Sequence, residues 1–152
     1  MRIALGSDHA GYALKEEVKG FLEERGCDVY DAGAFGEDSV DYPEFGIEVA
    51  RRISSGEYAR GILVCGSGIG MSIVANRFPG VRAALCLDAE TARMSRLHND
   101  SNILVLAGRK TDPDTAKKTV TAWIETAFEG GRHAGRLEKI RKLEKELCKG
   151  KS

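Results

Sequence analysis

No apolar run in the 152-residue sequence approaches the ~18 residues of a membrane-spanning helix, and no signal-peptide apolar core opens it. A cytoplasmic protein with no membrane partner is the expectation. Neither sign of charge is in excess: Lys plus Arg and Asp plus Glu each number 23, so no general attraction to nucleic acid is built in. The imbalance is local. Between Arg132 and Ser152 eight Lys or Arg face three Glu, a net +5 that leaves −5 on residues 1–131. No aromatic residue lies in that basic tail to stack on bases, which argues against nucleic acid as a partner. Cysteines are few and unpatterned. Cys27, Cys65, Cys86 and Cys148 form no C-x-x-C, and no His or acidic pair stands at metal-ligand spacing, so neither a disulfide framework nor a metal is expected. Repeats, low-complexity tracts and long linkers are also missing, which makes residues 1–152 one domain.

What is present is an alternation of strand and helix patterns. Ile3-Ala4-Leu5 reads as a short strand, and a helix follows with Leu14, Val18, Phe21 and Leu22 on one face. Gly26 ends it, and Cys27–Asp31 alternates as an edge strand does. Asp41 with Glu44 reads as a capping box opening a helix through Phe45, Val49, Ala50 and Ile53. Gly61–Cys65, Ala83–Leu87 and Ile103–Ala107 are continuous apolar runs, as in parallel strands covered on both faces. Asp112-Pro113 opens a further helix whose buried side is expected to carry Val120, Trp123, Ile124, Ala127 and Phe128. A last helix from about Ala134 bears Leu137, Ile140, Leu143 and Leu147 in one stripe. The pattern predicts a doubly wound, Rossmann-like α/β fold: a five-stranded parallel sheet with helices on both faces.

In the strand order 2-1-3-4-5, the ligand crevice falls between the first and third strands. Ser7-Asp8-His9-Ala10-Gly11 follows the first and Cys65-Gly66-Ser67-Gly68-Ile69-Gly70 the third, so two polar, glycine-bearing loops should face each other there. A thiol beside a glycine turn at a helix start sits where negative charge is favoured, on the sulfur and on a bound oxyanion. Such a thiolate could take a proton from carbon next to a carbonyl while loop amides hold the enediolate oxygen. Gly66-x-Gly68 with Asp88 ending the next strand also admits a nucleotide-binding module. Against that reading, Met71 occupies the third fingerprint position and the loop follows the third strand, not the first. His9, His98 and His133 are the three histidines, all at loops or helix ends. Arg132 and Arg136, at i and i+4, present two guanidinium forks suited to phosphate.

With Asp41-Tyr42-Pro43, His98-Asn99-Asp100 and Gly130-Gly131-Arg132-His133 added to the two loops, nearly the whole chain resembles the ribose-5-phosphate isomerase B family, which also contains galactose-6-phosphate isomerase subunits. The resemblance implies cofactor-free interconversion of ribose 5-phosphate and ribulose 5-phosphate. It assigns Cys65 as the base moving a proton between C1 and C2, Ser67 as the hydroxyl aiding proton movement between substrate oxygens, and His98 with Asp8 as the ring-opening pair. Gly66, Gly68, Ile69 and Gly70 are implied as the oxyanion loop, and Tyr42 and Asn99 as substrate contacts. His9, Arg109, Arg132 and Arg136 are implied as the phosphate grip, with His133 beside it. The resemblance also implies a homodimer, with a tetramer as the alternative, in which the arm and helix of about residues 130–149 complete the partner's site. Allose 6-phosphate and galactose 6-phosphate stand as alternative substrates.

Overall fold

The computed structural model describes residues 1–150. Strands β1 (Arg2–Ser7), β2 (Asp28–Asp31), β3 (Arg60–Cys65), β4 (Ala83–Leu85) and β5 (Ile103–Ala107) are interleaved with α1 (Tyr12–Glu24), α2 (Tyr42–Ser54), α3 (Ile69–Ala75), α4 (Ala89–Asn99) and α5 (Pro113–Glu125). Helix α6 (Arg132–Lys149) ends the described chain. All strand pairs are parallel, in the order β2-β1-β3-β5-β4. The last two strands are therefore exchanged relative to the expected 2-1-3-4-5. Burial explains the exchange: every residue of β5 is fully enclosed, whereas the three residues of β4 are only half-buried. The apolar run that tolerates cover on both faces takes the interior position, and the short one takes the edge. The crevice between β1 and β3 survives, because the chain still leaves those two strands in opposite directions.

Strand alternation builds two cores. Ile3, Leu5, Ile62, Val64, Leu104 and Leu106 pack under α1 and α5 with Leu14, Val18, Leu22, Val120 and Trp123. Ala4, Leu63, Cys65, Ile103 and Val105 point the other way, against Val49, Ala50 and Ile53 of α2 and Met71 and Ala75 of α3. Helix ends follow local chemistry. Gly26, at φ 80°, closes α1: its N–H donates to the Glu23 carbonyl and the Cys27 N–H to the Leu22 carbonyl. Asp112 caps α5 through the Thr115 N–H at 2.9 Å. Asp41 does precede α2, but its side chain makes no capping bond, so the expected box with Glu44 is not formed. Helix α5 stops at Glu125, leaving Ala127 and Phe128 beyond it, and α6 begins two residues earlier than Ala134.

One charge is deeply buried. Lys15, fully enclosed on α1, donates to both oxygens of Asp31 at 2.7 and 2.8 Å, and Asp31 also accepts from Lys19 and from the Gly33 N–H. Burial alone would push the Asp31 carboxyl up, yet the Lys15 and Gly33 hydrogen bonds hold it below its ordinary value. A depressed folded-state value means stability gained above the unfolded value of about 3.9 and lost as pH falls through the folded one. Asp31→Asn leaves the buried Lys15 charge only the half-exposed Glu16 carboxylate, 3.1 Å away, and should lower unfolding stability at neutral pH by about 3 kcal/mol. The deficit should shrink as pH falls below ~4, where the unfolded chain's carboxyl takes up its proton, and vanish below the depressed folded value. Urea unfolding midpoints at pH 7 and pH 3 check this; equal midpoints at pH 7 would refute it.

Candidate active site

The β1 and β3 loops meet as the topology requires. A cleft of about 410 Å³ is lined by Asp8, His9, Ala10, Tyr42, Cys65, Gly66, Ser67, Gly70, Arg109 and Lys110. Close backbone approach holds its walls together. The Asp8 N–H donates to the Val64 carbonyl (3.2 Å), and the Gly108 and Arg109 N–H groups donate to the carbonyls of Cys65 and Gly66 (2.8 and 3.0 Å). A Cβ on Gly11 would lie 2.5 Å from the Val64 carbonyl oxygen, and one on Gly108 2.9 Å from that of Ala10. Only glycine lets the three strand-end loops touch.

Within the cleft each polar group has a fixed orientation. One oxygen of Asp8 accepts from the Gly11 N–H at 2.9 Å, which pins the carboxylate of this buried residue. His9 Nδ1 lies 3.1 Å from the Val40 N–H. The same Nδ1 lies 3.2 Å from the Val40 carbonyl oxygen, so the Val40 backbone orients the ring in either tautomer. Ser67 Oγ accepts from the Ile69 N–H at 3.2 Å, keeping its own hydrogen available. The Tyr42 ring lies against Gly70, where a Cβ would come within 2.6 Å of it, and the Arg109 guanidinium lies over Gly66, 3.2 Å from where a Cβ would sit. Cys65 ends β3 at the floor, 4% exposed. Arg109 and Lys110 put two cations on the rim. Lys110 and Ala10 were not among the sequence candidates; Lys110 lies three residues past the end of β5, and the strand-end rule that selected Cys65 reaches it too.

Gly68 and Ile69 do not line the cleft. Gly68 is in the left-handed region at φ 77°, packed against Leu85, and the Ile69 side chain points to solvent. A second group of candidates lies at the other edge of the sheet. His98 and Asn99 end α4 just before β5 begins at Ile103, whereas Cys65 pairs with Ala107 at the far end of β5. Four residues of strand rise separate the levels, roughly 13 Å. The His98 ring stacks on that of His133, with centroids 4.3 Å apart and planes 17° from parallel. Burial and the charge of His98, with Arg132 and Arg136 nearby, hold His133 below the ordinary histidine value, although Glu129 opposes them. Arg132 and Arg136 are exposed, and neither reaches the Cys65 cleft. The sequence candidates thus fall into two groups at opposite edges of the sheet.

The nucleotide reading loses its supports. The Asp88 side chain caps α4 through the Thr91 N–H at 2.7 Å, and Met71, fully buried, fills the position where close helix packing would need glycine. Neither is available to a dinucleotide.

The sequence pattern of the Ribose/Galactose Isomerase family matches residues 3–140. Ribose-5-phosphate isomerase B of Escherichia coli K12 is 43% identical over 143 residues, covering 94% of this chain and 96% of that protein. The solved structure of Clostridium thermocellum ribose-5-phosphate isomerase B superposes with a TM-score of 0.94 at 52% identity, covering 97% of this chain and 99% of the other. The Mycoplasma genitalium ribose-5-phosphate isomerase B, solved with bound ribulose 5-phosphate, superposes at 0.92 with 36% identity over 95% and 97% of the two chains. Fold, cleft and sequence agree over nearly the full length: the chain belongs to the ribose/galactose isomerase family.

Proposed function

We propose that the protein interconverts ribose 5-phosphate and ribulose 5-phosphate, with the Cys65 thiolate as the proton-transfer base. The observation that carries the reading is Cys65 at the floor of a cleft that also holds the Asp8 carboxylate, the Ser67 hydroxyl and the cations of Arg109 and Lys110. The relatives' named activity and the ribulose 5-phosphate bound by one of them support the substrate. The furanose opens when a proton leaves the C1 hydroxyl and one reaches the ring oxygen as the C1–O bond breaks. His98 does this, with Asp8 holding the ring hydroxyls. Cys65 then removes the C2 proton, and the electron pair passes through C1–C2 onto O1 as the enediolate, held by amides of the loop residues that line the cleft, Gly66, Ser67 and Gly70. Ser67 carries a proton from O2 to O1, and the Cys65 thiol returns its proton to C1, giving the ketose.

His98, Asn99, Arg132 and Arg136 cannot take these roles in their own chain's cleft, given the sheet between them. We therefore assign them to the partner's cleft in a homodimer. Helix α6 supports the assignment: Leu137 is buried on its own chain, while Ile140, Leu143 and Leu147 are 46%, 53% and 60% exposed in one stripe that needs a cover. There Arg132 and Arg136, with His9 and Arg109 of the facing chain, would surround the phosphate, and Asn99 and Tyr42 the sugar hydroxyls.

The test is isomerase turnover of ribose 5-phosphate in EDTA, with allose 6-phosphate and galactose 6-phosphate run beside it and mass measured by light scattering. Turnover of ribose 5-phosphate by a dimer is the expected result. Turnover of only a hexose phosphate would keep the chemistry and change the substrate. Silence on all three, or an active monomer, would overturn the reading.

A further inference from the structure

Two imidazoles and a carboxylate converge outside the Cys65 cleft. One ligating atom each from His98, Glu129 and His133 lies within 4.8 Å of the other two. Glu129 Oε2 is 3.6 Å from His133 Nε2 and 3.9 Å from His98 Nε2, too far for a hydrogen bond to either. His133 is 4% exposed, and its Nε2 is buried with no hydrogen-bond partner among the described residues. A buried polar nitrogen aimed at a carboxylate it does not touch implies something between them.

The geometry points to a divalent-cation site of the zinc class formed by His98, Glu129 and His133. Two imidazoles and one carboxylate with remaining positions open are a donor set that zinc and cobalt accept, at ~2.0–2.2 Å. Tetrahedral ligands lie about 3.3 Å apart at those bond lengths, so the group must close by up to about 1.5 Å. The mobile members allow it. The His98 side chain is 33% exposed and that of Glu129 58%, so both can turn toward the fixed His133. Turning is also required, because the lone pairs of stacked rings run in nearly parallel planes and must be tilted to meet at one ion. The backbone anchors the set: the Glu129 N–H donates to the Leu97 carbonyl beside His98. Arg132 and Arg136 add positive charge nearby, which keeps the site weaker than a closed structural one and easily stripped by chelators. The sequence could not show this cluster, since His98 and Glu129 are 31 positions apart.

The consequence rests on the function proposed above. An ion there would occupy the nitrogen that opens the sugar ring, so the cation would act as an inhibitor of a reaction that itself needs no metal.

Cobalt(II) titration of the full chain tests the site, using the metal's visible absorption. The wild type should take up one equivalent per chain with visible d–d bands, lose it to EDTA, and show no sulfur-to-cobalt charge-transfer band. Glu129→Gln, a change at an exposed side chain, and His133→Ala should each weaken uptake at least tenfold. A thiolate charge-transfer band would assign the ion to Cys65 or Cys148 and overturn the site, as would uptake unchanged in both variants or no uptake at all. Activity is a separate readout: Zn²⁺ should inhibit wild-type turnover and EDTA restore it. Absence of turnover in EDTA would refute the isomerase reading while leaving the cobalt result to decide the site.

Discussion

Cys65→Ala should bind ribose 5-phosphate within a few-fold of the wild type while losing turnover by roughly 10³-fold or more, the range of a deleted general base. Exchange of the C2 proton with solvent should vanish with it. The split follows from position. Cys65 lies at the floor of the cleft, while His9, Tyr42 and Arg109, the proposed phosphate and hydroxyl contacts, stand on its walls and rim. Losing the sulfur removes a base and leaves the binding surface intact. Thiol alkylation gives an independent line. Cys86 is fully buried, and burial pushes its thiol up to about 11, so it should stay unmodified at neutral pH. Cys148 is exposed and should react without affecting turnover, whereas inactivation through Cys65 should be blocked by bound substrate. Unimpaired C2 exchange in Cys65→Ala would remove the residue from the role.

Mixing two inactive variants should restore activity. Cys65→Ala disables the cleft half of the site and His98→Ala the half at the opposite sheet edge, so each homodimer is defective at both of its sites. A chain of each kind, paired about a two-fold axis, regains one intact site and carries one doubly damaged site. Random re-association of equal amounts should therefore recover about a quarter of wild-type turnover. Arg136→Ala in place of His98→Ala should complement Cys65→Ala in the same way, since Arg136 lies on α6, which also carries the His133 that stacks on His98. Recovery requires subunit exchange, so the mixture is refolded from urea together and its mass checked. No recovery from a mixture shown to contain hybrid dimers would place His98 and Cys65 in one site and contradict the roughly 13 Å of strand between their levels.

Much of this molecule is local chemistry and therefore readable along the chain. The apolar runs of β3 and β5, the turn at Gly26 and the Asp112-Pro113 start of α5 depend on a few neighbouring residues, and each forms where its pattern places it. The strand-end rule identified Cys65 and the Asp8–Gly11 loop for a similar reason: in a parallel sheet every strand's carboxyl end is at the same edge. Where several patterns compete, local reading failed. Asp41 and Glu44 have the spacing of a capping box, yet the Asp41 side chain is not used as one. Ala127 and Phe128 continue the apolar stripe of α5 on paper, but the helix has already ended.

The sequence by itself determined the fold class, the crevice between β1 and β3 and the residue types at its lip, because periodicity and strand-end position are properties of short segments. Tertiary structure alone decided three things. It placed β5 inside β4, since complete burial on both faces is settled by the packed sheet. It enclosed Lys15 against Asp31, a pairing across 16 positions that no helical pattern marks. It also separated His98, His133 and the α6 arginines from Cys65 and gathered the two histidines around Glu129. Which edge of the sheet a helix end reaches depends on the direction in which the whole helix crosses it.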